Sequence, residues 1–369
     1  MLLLAVGSAF FPIAASAAKI AVIAQPMAAA RAELGREAVI ILSSSGADPD
    51  PEVRALVAAI WGLLGNRAAI PFLKRTLTDA NPDVRIAAAA SLYRLGEVDG
   101  LTNLIDETKT SGGVPPTTPA QELRRMARTT ARARAVLKLG EIAGENARAA
   151  IKSAYQDPEG EVRDAAGVAL ARLGAADAAA PFLRAITDSD EAVRAAAARS
   201  LGLIGREGRG ILGKLAASDD AVSVRAAACA ALGSFNDPAS VVILAVGLKE
   251  KSGRVRLAAA SALARRDSLE STVELKTLLG KSPPPELALI AQAGLAERGG
   301  EVDLGLADLT LGQGDPELKS LAVRVLTAAR QPEALDLLSR TMRGDASPRI
   351  RVEAAAGVIV RLRRVETPR

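Results

Sequence analysis

Histidine is missing from all 369 residues of the chain. That removes the commonest general base, the commonest zinc and iron ligand, and the usual partner of a nucleophilic serine or cysteine. The single cysteine, Cys229, excludes an internal disulfide and every cysteine-cluster metal site. Aromatic residues make up only 2% of a chain that is 49% hydrophobic, so Ala, Leu and Val must build any core. There is no phosphate loop of the G-x-x-x-x-G-K-S/T form. These absences exclude most enzyme classes, and no cofactor is expected.

The charge that is present is mildly basic, 47 Lys and Arg against 42 Asp and Glu, and 36 of the 47 are Arg. Arg suits phosphate and carboxylate. In a chain this rich in Ala, Arg and Gly the excess also follows from codon bias, and a nucleic-acid binder concentrates its charge on one face. Charged residues at 24% with ample Leu and Val argue against disorder.

Residues 1–18 read MLLLAVGSAFFPIAASAA, an apolar run ending in Ala15-Ser16-Ala17, which fits an A-x-A cleavage pattern. No Lys or Arg precedes the run, and no Cys follows it for lipid attachment. Lys19 interrupts it too early for a membrane span. The expectation is a signal-peptide-like segment and a periplasmic or secreted protein. The alternative is a cytoplasmic or inner-membrane-anchored chain.

Everything after it repeats. DPDPEVRALVAAIWGLLG (48–65) is followed by DANPDVRIAAAASLYRLG (79–96), DPEGEVRDAAGVALARLG (157–174) and DSDEAVRAAAARSLGLIG (188–205). The apolar anchor before the Arg falls at Val53, Val84, Val162, Val193, Val224, Val255, Leu287, Leu318 and Ile350. Steps of 31 or 32 separate these anchors except for one of 78, which is two repeats plus 16. One repeat therefore carries an insertion, at about 106–121. Each unit reads as two helices. The second opens on a capping side chain and Pro, as at Asp50-Pro51, Asn81-Pro82, Asp315-Pro316 and Ser347-Pro348, and closes on Gly. Neither helix can bury its face alone, so stacked neighbours must supply the stability.

The pattern D-x-x-x-x-V-R-x-x-A-x-x-x-L-x-x-x-G resembles HEAT-type repeats of the short, phycobilisome-lyase-like variety. The resemblance implies an all-α fold, a right-handed α-solenoid of about ten two-helix repeats over 19–369, with second helices lining the concave side. Arg54, Arg85, Arg163, Arg194, Arg225, Arg256 and Arg351 would then form a structural ladder, paired with turn carboxylates such as Asp48, Asp79, Asp157, Asp188 and Asp219. The units at Leu287 and Leu318 carry Ala288 and Lys319 in place of that Arg. This repeat type has two enzymatic relatives. The di-iron hydroxylase of deoxyhypusine holds its metal by His-Glu pairs, none of which can be carried over. For a bilin lyase the chain shows no separate supporting motif.

Three residue sets remain as candidates. Asp48-x-Asp50, Asp188-x-Asp190 and Asp219-Asp220 sit at helix starts and read as caps rather than cation ligands. Cys229 stands where other repeats have Ala or Gly, a packing position. The inserted helix starts at Thr118-Pro119-Ala120-Gln121 with a capping box, and Arg124, Arg125, Arg128, Arg132, Arg134 and Lys138 fall within one half of it. This basic patch is a candidate for an anionic surface. No aromatic residue lies among the charges to stack a base, which speaks against nucleic acid.

For the concave side, positions two and nine after each anchor lie about 180° from it. They include Ile86, Tyr93, Ala195, Gly202, Gly233 and Leu257, a small-residue groove with Tyr93 as anchor for a protein or peptide. The expected function is a non-catalytic protein-interaction scaffold. The alternatives are a nucleic-acid or anionic-surface binder acting through helix 119–139, or a lyase-like accessory factor.

Overall fold

The computed structural model describes residues 13–110, 116–205 and 208–366. Part of the signal-like segment, 1–12, and part of the inserted loop, 111–115, lie outside the described residues. Ile13–Ala18 belongs to the first helix.

Among the described residues the chain is helical, and twenty α-helices form ten two-helix units. The first five are α1 (Ile13–Ser45) with α2 (Pro51–Leu63), α3 (Ile70–Thr76) with α4 (Pro82–Arg94), α5 (Val98–Asp106) with α6 (Pro119–Ile142), α7 (Arg148–Ala154) with α8 (Gly160–Arg172), and α9 (Ala180–Ala185) with α10 (Glu191–Ile204). The others are α11 (Arg209–Ser218) with α12 (Val222–Leu232), α13 (Pro238–Gly247) with α14 (Gly253–Ala264), α15 (Leu269–Leu279) with α16 (Pro285–Glu297), α17 (Leu304–Gln313) with α18 (Pro316–Ala328), and α19 (Glu333–Gly344) with α20 (Pro348–Glu366).

Local sequence sets the ends of the second helices. Asp50, Asn81, Asp190 and Asp315 accept the backbone N–H of Glu52, Asp83, Ala192 and Leu318 at 2.7–2.8 Å, with Pro51, Pro82 and Pro316 following three of them. Twelve residues after their anchors, Gly65, Gly96, Gly174, Gly205 and Gly299 stop the helices at φ between +64° and +100°, where a side chain would be strained.

Second helices stack closely on one another along a stripe of small residues. A β-carbon on Gly202 would lie 2.6 Å from the Ala231 β-carbon, and one on Gly140 2.6 Å from that of Ala169. The first helices sit outside this layer, which makes the array an α-solenoid with second helices on the inner side.

The array then closes on itself. α1 runs antiparallel along α20, with Gly35 against Leu362, and Ala28, Arg31 and Val39 facing Ile359, Leu362 and Arg363. α20 also touches α2, so the tenth unit meets the first and completes a ring. One hydrophobic core runs through this seam, joining Leu42, Val57 and Leu92 to Val325, Leu338, Ile350 and Val358. Each of these side chains is fully buried. Burial of a Leu, Ile or Val contributes about 1.5–3 kcal/mol, so apolar packing holds the seam.

Candidate functional site

Three sets of side chains could meet a partner: the turn arginines, the inner face of the second helices, and the inserted helix. The turn arginines are structural. Arg54 donates from Nη1 to the carbonyls of Asp48 and Pro49 in its own turn, and from Nε and Nη2 to Asp79 of the next turn at 2.8 and 2.9 Å. Arg85 repeats this with Asp79, Ala80 and Glu107, and Arg194 with Asp188, Ser189 and Asp219. Arg225 does so with Asp219, Asp220 and Glu250. Each guanidinium thus rivets its own turn to the next. The hydrogen bond from Arg54 holds the Asp79 carboxyl below the usual carboxylate range, and Arg194 does the same for Asp219.

Two rungs differ. Arg163 reaches only the carbonyls of Asp157 and Pro158, and forms no ion pair with Asp188, 25 residues on. Arg256 reaches the carbonyls of Glu250 and Lys251, and Lys281 stands where its carboxylate would be. Where Arg is replaced by Lys319, the rung persists as an ion pair with Asp345 at 2.8 Å. The acidic pairs are caps: Asp48 and Asp188 bind the N–H of Asp50 and Asp190 at 2.9 Å. No group of three or more His, Cys, Asp or Glu able to hold a metal occurs among the described residues.

The rung of the inserted unit was hidden among the basic patch. Arg132 is buried and bound to Asp157, the Thr108 carbonyl and Thr110 Oγ1, with Asp157 25 residues on, as in the other rungs. Ala131 is therefore the anchor of this unit, and Arg132 leaves the patch. Arg125 is taken by Glu122 and Glu159, Arg134 by Asp83 at 2.6 Å, and Lys138 by Glu141 at 2.6 Å. Arg124 and Arg128 stay exposed with no ion pair among the described residues.

The expected groove is displaced by one residue. Ile86 and Ala195 are buried at 6% and 3% exposure, Gly202 is wedged on Ala231, and a β-carbon on Gly233 would meet Arg265 and Ala262. Leu257 packs half-buried against the core. Tyr93 is half-buried, and its hydroxyl accepts a hydrogen bond from Asn146 Nδ2 at 3.0 Å, which ties α4 to the neighbouring unit instead of presenting an anchor. These small residues form the contact stripe between second helices, not an open face. The exposed inner line lies ten residues after the anchor: Leu63, Arg94, Glu141, Arg172, Leu203, Ser234, Arg265 and Glu297. Leu63 and Leu203 are 72% and 46% exposed. Arg94 pairs with Glu141, and Glu297 with Arg324. Arg265 has only the Ala230 carbonyl; although its side chain reaches solvent, desolvation of its guanidinium against the packed second helices, helped by the charge of Arg324, pushes its pKa down.

A further arginine set, which periodicity alone does not reveal, caps the C-termini of the second helices. Arg266 binds the carbonyls of Leu232 and Asp237, Arg298 those of Leu263 and Ala264, and Arg361 those of Leu326 and Gln331. Arg363 binds the carbonyl of Leu64 across the seam. Each satisfies orphan carbonyls at the negative end of a helix dipole. Cys229 is fully buried, and burial pushes its thiol up to about 11, so it stays protonated at neutral pH. No helix among the described residues is long and apolar enough to cross a membrane.

The family model of HEAT repeats matches residues 39–112, 118–202 and 211–296. No curated protein matches the chain. Among solved structures, human deoxyhypusine hydroxylase in complex with glycerol is 19% identical over 73% of this chain and 98% of its own, with a TM-score of 0.33. The CpcE–CpcF complex of phycocyanin lyase from Nostoc sp. PCC7120 is 19% identical over 79% and 94%, at 0.31. Kap95p bound to RanGDP is 14% identical over 89% and 52%, at 0.35.

Proposed function

The chain belongs to the HEAT-repeat family, and from that premise we propose that it is a non-catalytic scaffold whose ring holds a protein partner along the inner line of its second helices. The observation that carries this reading is the run of exposed residues ten after each anchor, from Leu63 to Glu297. Leu, Arg, Ser and Glu alternate there, the mixture of a protein-binding surface. A phosphate-binding line would carry an unbroken basic series. The lack of histidine and the buried, protonated Cys229 support the non-catalytic part of the reading. The apolar segment 1–18 supports export to the periplasm or medium.

Affinity capture from native cells tests the reading, comparing the intact chain with a Leu63→Glu, Arg172→Glu, Leu203→Glu variant of unchanged circular dichroism. The reading expects specific partners to be lost from the variant; an unchanged partner set sinks it. Sequencing the mature N-terminus tests export, and an intact chain in the cytosol excludes it.

A further inference from the structure

Nine second helices start two residues before their anchor, whereas α6 starts twelve before Ala131. The additional ten residues lift its N-terminal end about 15 Å beyond the rim, at 1.5 Å per residue. From Pro119 to Arg128 every residue is exposed except the half-buried Glu122, with Leu123 at 69% and Met126 at 56%. The projection carries its own support. Thr118 Oγ1 accepts the Gln121 N–H at 3.3 Å, and Gln121 Oε1 accepts the N–H groups of Thr117 and Thr118 at 2.8 and 3.2 Å. Such a capping box stabilises a helical end that has little packing to rely on.

Its sides differ. Ala120 and Ala127, seven residues apart, form a low centre. Leu123 and Met126 rise on one side, and the unpaired Arg124 and Arg128, four apart, on the other. Arg125 turns to the remaining side, where Glu122 and Glu159 neutralise it. An exposed apolar pair, a small-residue trough and one uncompensated basic edge thus lie on a single turnable face. We propose that this projection docks an amphipathic helix of another protein that has an apolar seam and carboxylates along one edge.

Placement argues for a protein rather than a bilayer. α1 runs antiparallel to α20, so its N-terminal end leaves beyond the C-terminal ends of the second helices. The α6 projection leaves beyond their N-terminal ends. The N-terminal end of α1 and the projection therefore lie at opposite rims, and a membrane that met the first would face away from the second. Two unpaired arginines are also a thin basis for adhesion to anionic lipid.

The inference rests on the scaffold reading and is tested separately from it. The probe is a fluorescein-labelled 20-residue peptide with Leu at i, i+3 and i+7 and Glu along one edge, titrated against the full chain by anisotropy. Binding should weaken about tenfold in Arg124→Glu/Arg128→Glu, be lost in Leu123→Asp/Met126→Asp, and return to the charge-reversed chain when the peptide edge is Lys. The Leu63, Arg172 and Leu203 substitutions should leave it unchanged, which separates failure here from failure of the inner line. Equal affinity for a peptide of the same composition with scattered glutamates overturns the proposal. So does retention only by phosphatidylglycerol vesicles, or self-association in sedimentation that the same substitutions abolish.

Discussion

Arg343 holds Glu37 with hydrogen bonds of 2.7 and 2.6 Å, although 306 residues separate them in the chain. Both side chains are more than a third exposed, so the pair contributes little energy, about 0–1 kcal/mol. Its meaning is positional. It marks the seam at which the first unit meets the last, and it keeps α1 in register on the tenth unit while the buried Leu42, Ile350 and Val358 supply the stability.

Closure has a direct test. In Glu37→Cys/Arg343→Cys, a short bismaleimide should link the two thiols within one molecule and produce a faster band on a denaturing gel. The fully buried Cys229 stays silent under native conditions. Links only between molecules would mean an open array. The substitutions themselves should cost no more than about 1 kcal/mol, because they remove an exposed pair.

The contact stripe predicts an asymmetry between glycines. Gly202→Leu drives a side chain into Ala231 and should cost about 1–3 kcal/mol or more in urea unfolding. Gly210→Ala, in α11 with nothing within 4 Å of the added carbon, should be neutral or stabilise by up to about 1 kcal/mol. Equal effects would return Gly202 to an open face.

The repeat, its ten units, the caps and the glycine stops were legible because each depends on residues a few positions apart. The ladder was legible as arginines beside turn carboxylates; which carboxylate each one takes was not, because the partner stands in the next turn, about 25 residues on. Arg132 escaped because the insertion moved its anchor to Ala131, where Ala stands in place of Val. The groove register failed by one residue because the anchor points between the first helix and the neighbouring unit; a single step of about 100° then exchanges Gly202 for Leu203. Closure left no local mark. It depends on the sum of small rotations, about 36° for each of ten units, and these are set by side-chain sizes along the stripe.

Broken and unbroken rungs should differ in cost. Arg194→Met strands the Asp219 carboxylate, which is 8% exposed, and releases two turn carbonyls, so a loss of about 2–3 kcal/mol is expected. Arg163→Met gives up only carbonyl contacts and should cost about 1 kcal/mol or less. Equal losses by thermal unfolding would mean that the carboxylate rivet adds nothing to the turn contacts.

Acid should loosen the ring through the same rungs. Asp79 and Asp219 are held below the usual carboxylate range by Arg54 and Arg194. Glu250 is held below it by the Ser252 N–H, with Arg225 adding to the effect. A carboxyl whose pKa is lower folded than unfolded contributes stability that is fully present above its unfolded value and lost as pH falls through the folded one. The arginines stay charged throughout, so only the carboxylates titrate. Tm should therefore be level from about pH 7 to 5 and fall below about pH 4, where ordinary carboxylates protonate. In Arg54→Met/Arg194→Met the largest cause of the lowered Asp79 and Asp219 pKa values is removed, while the backbone N–H groups of Asn81 and Ala221 remain, so Tm starts lower at pH 7 and the acid fall should be shallower. A variant curve parallel to that of the intact chain would show that the acid sensitivity arises elsewhere in the ring.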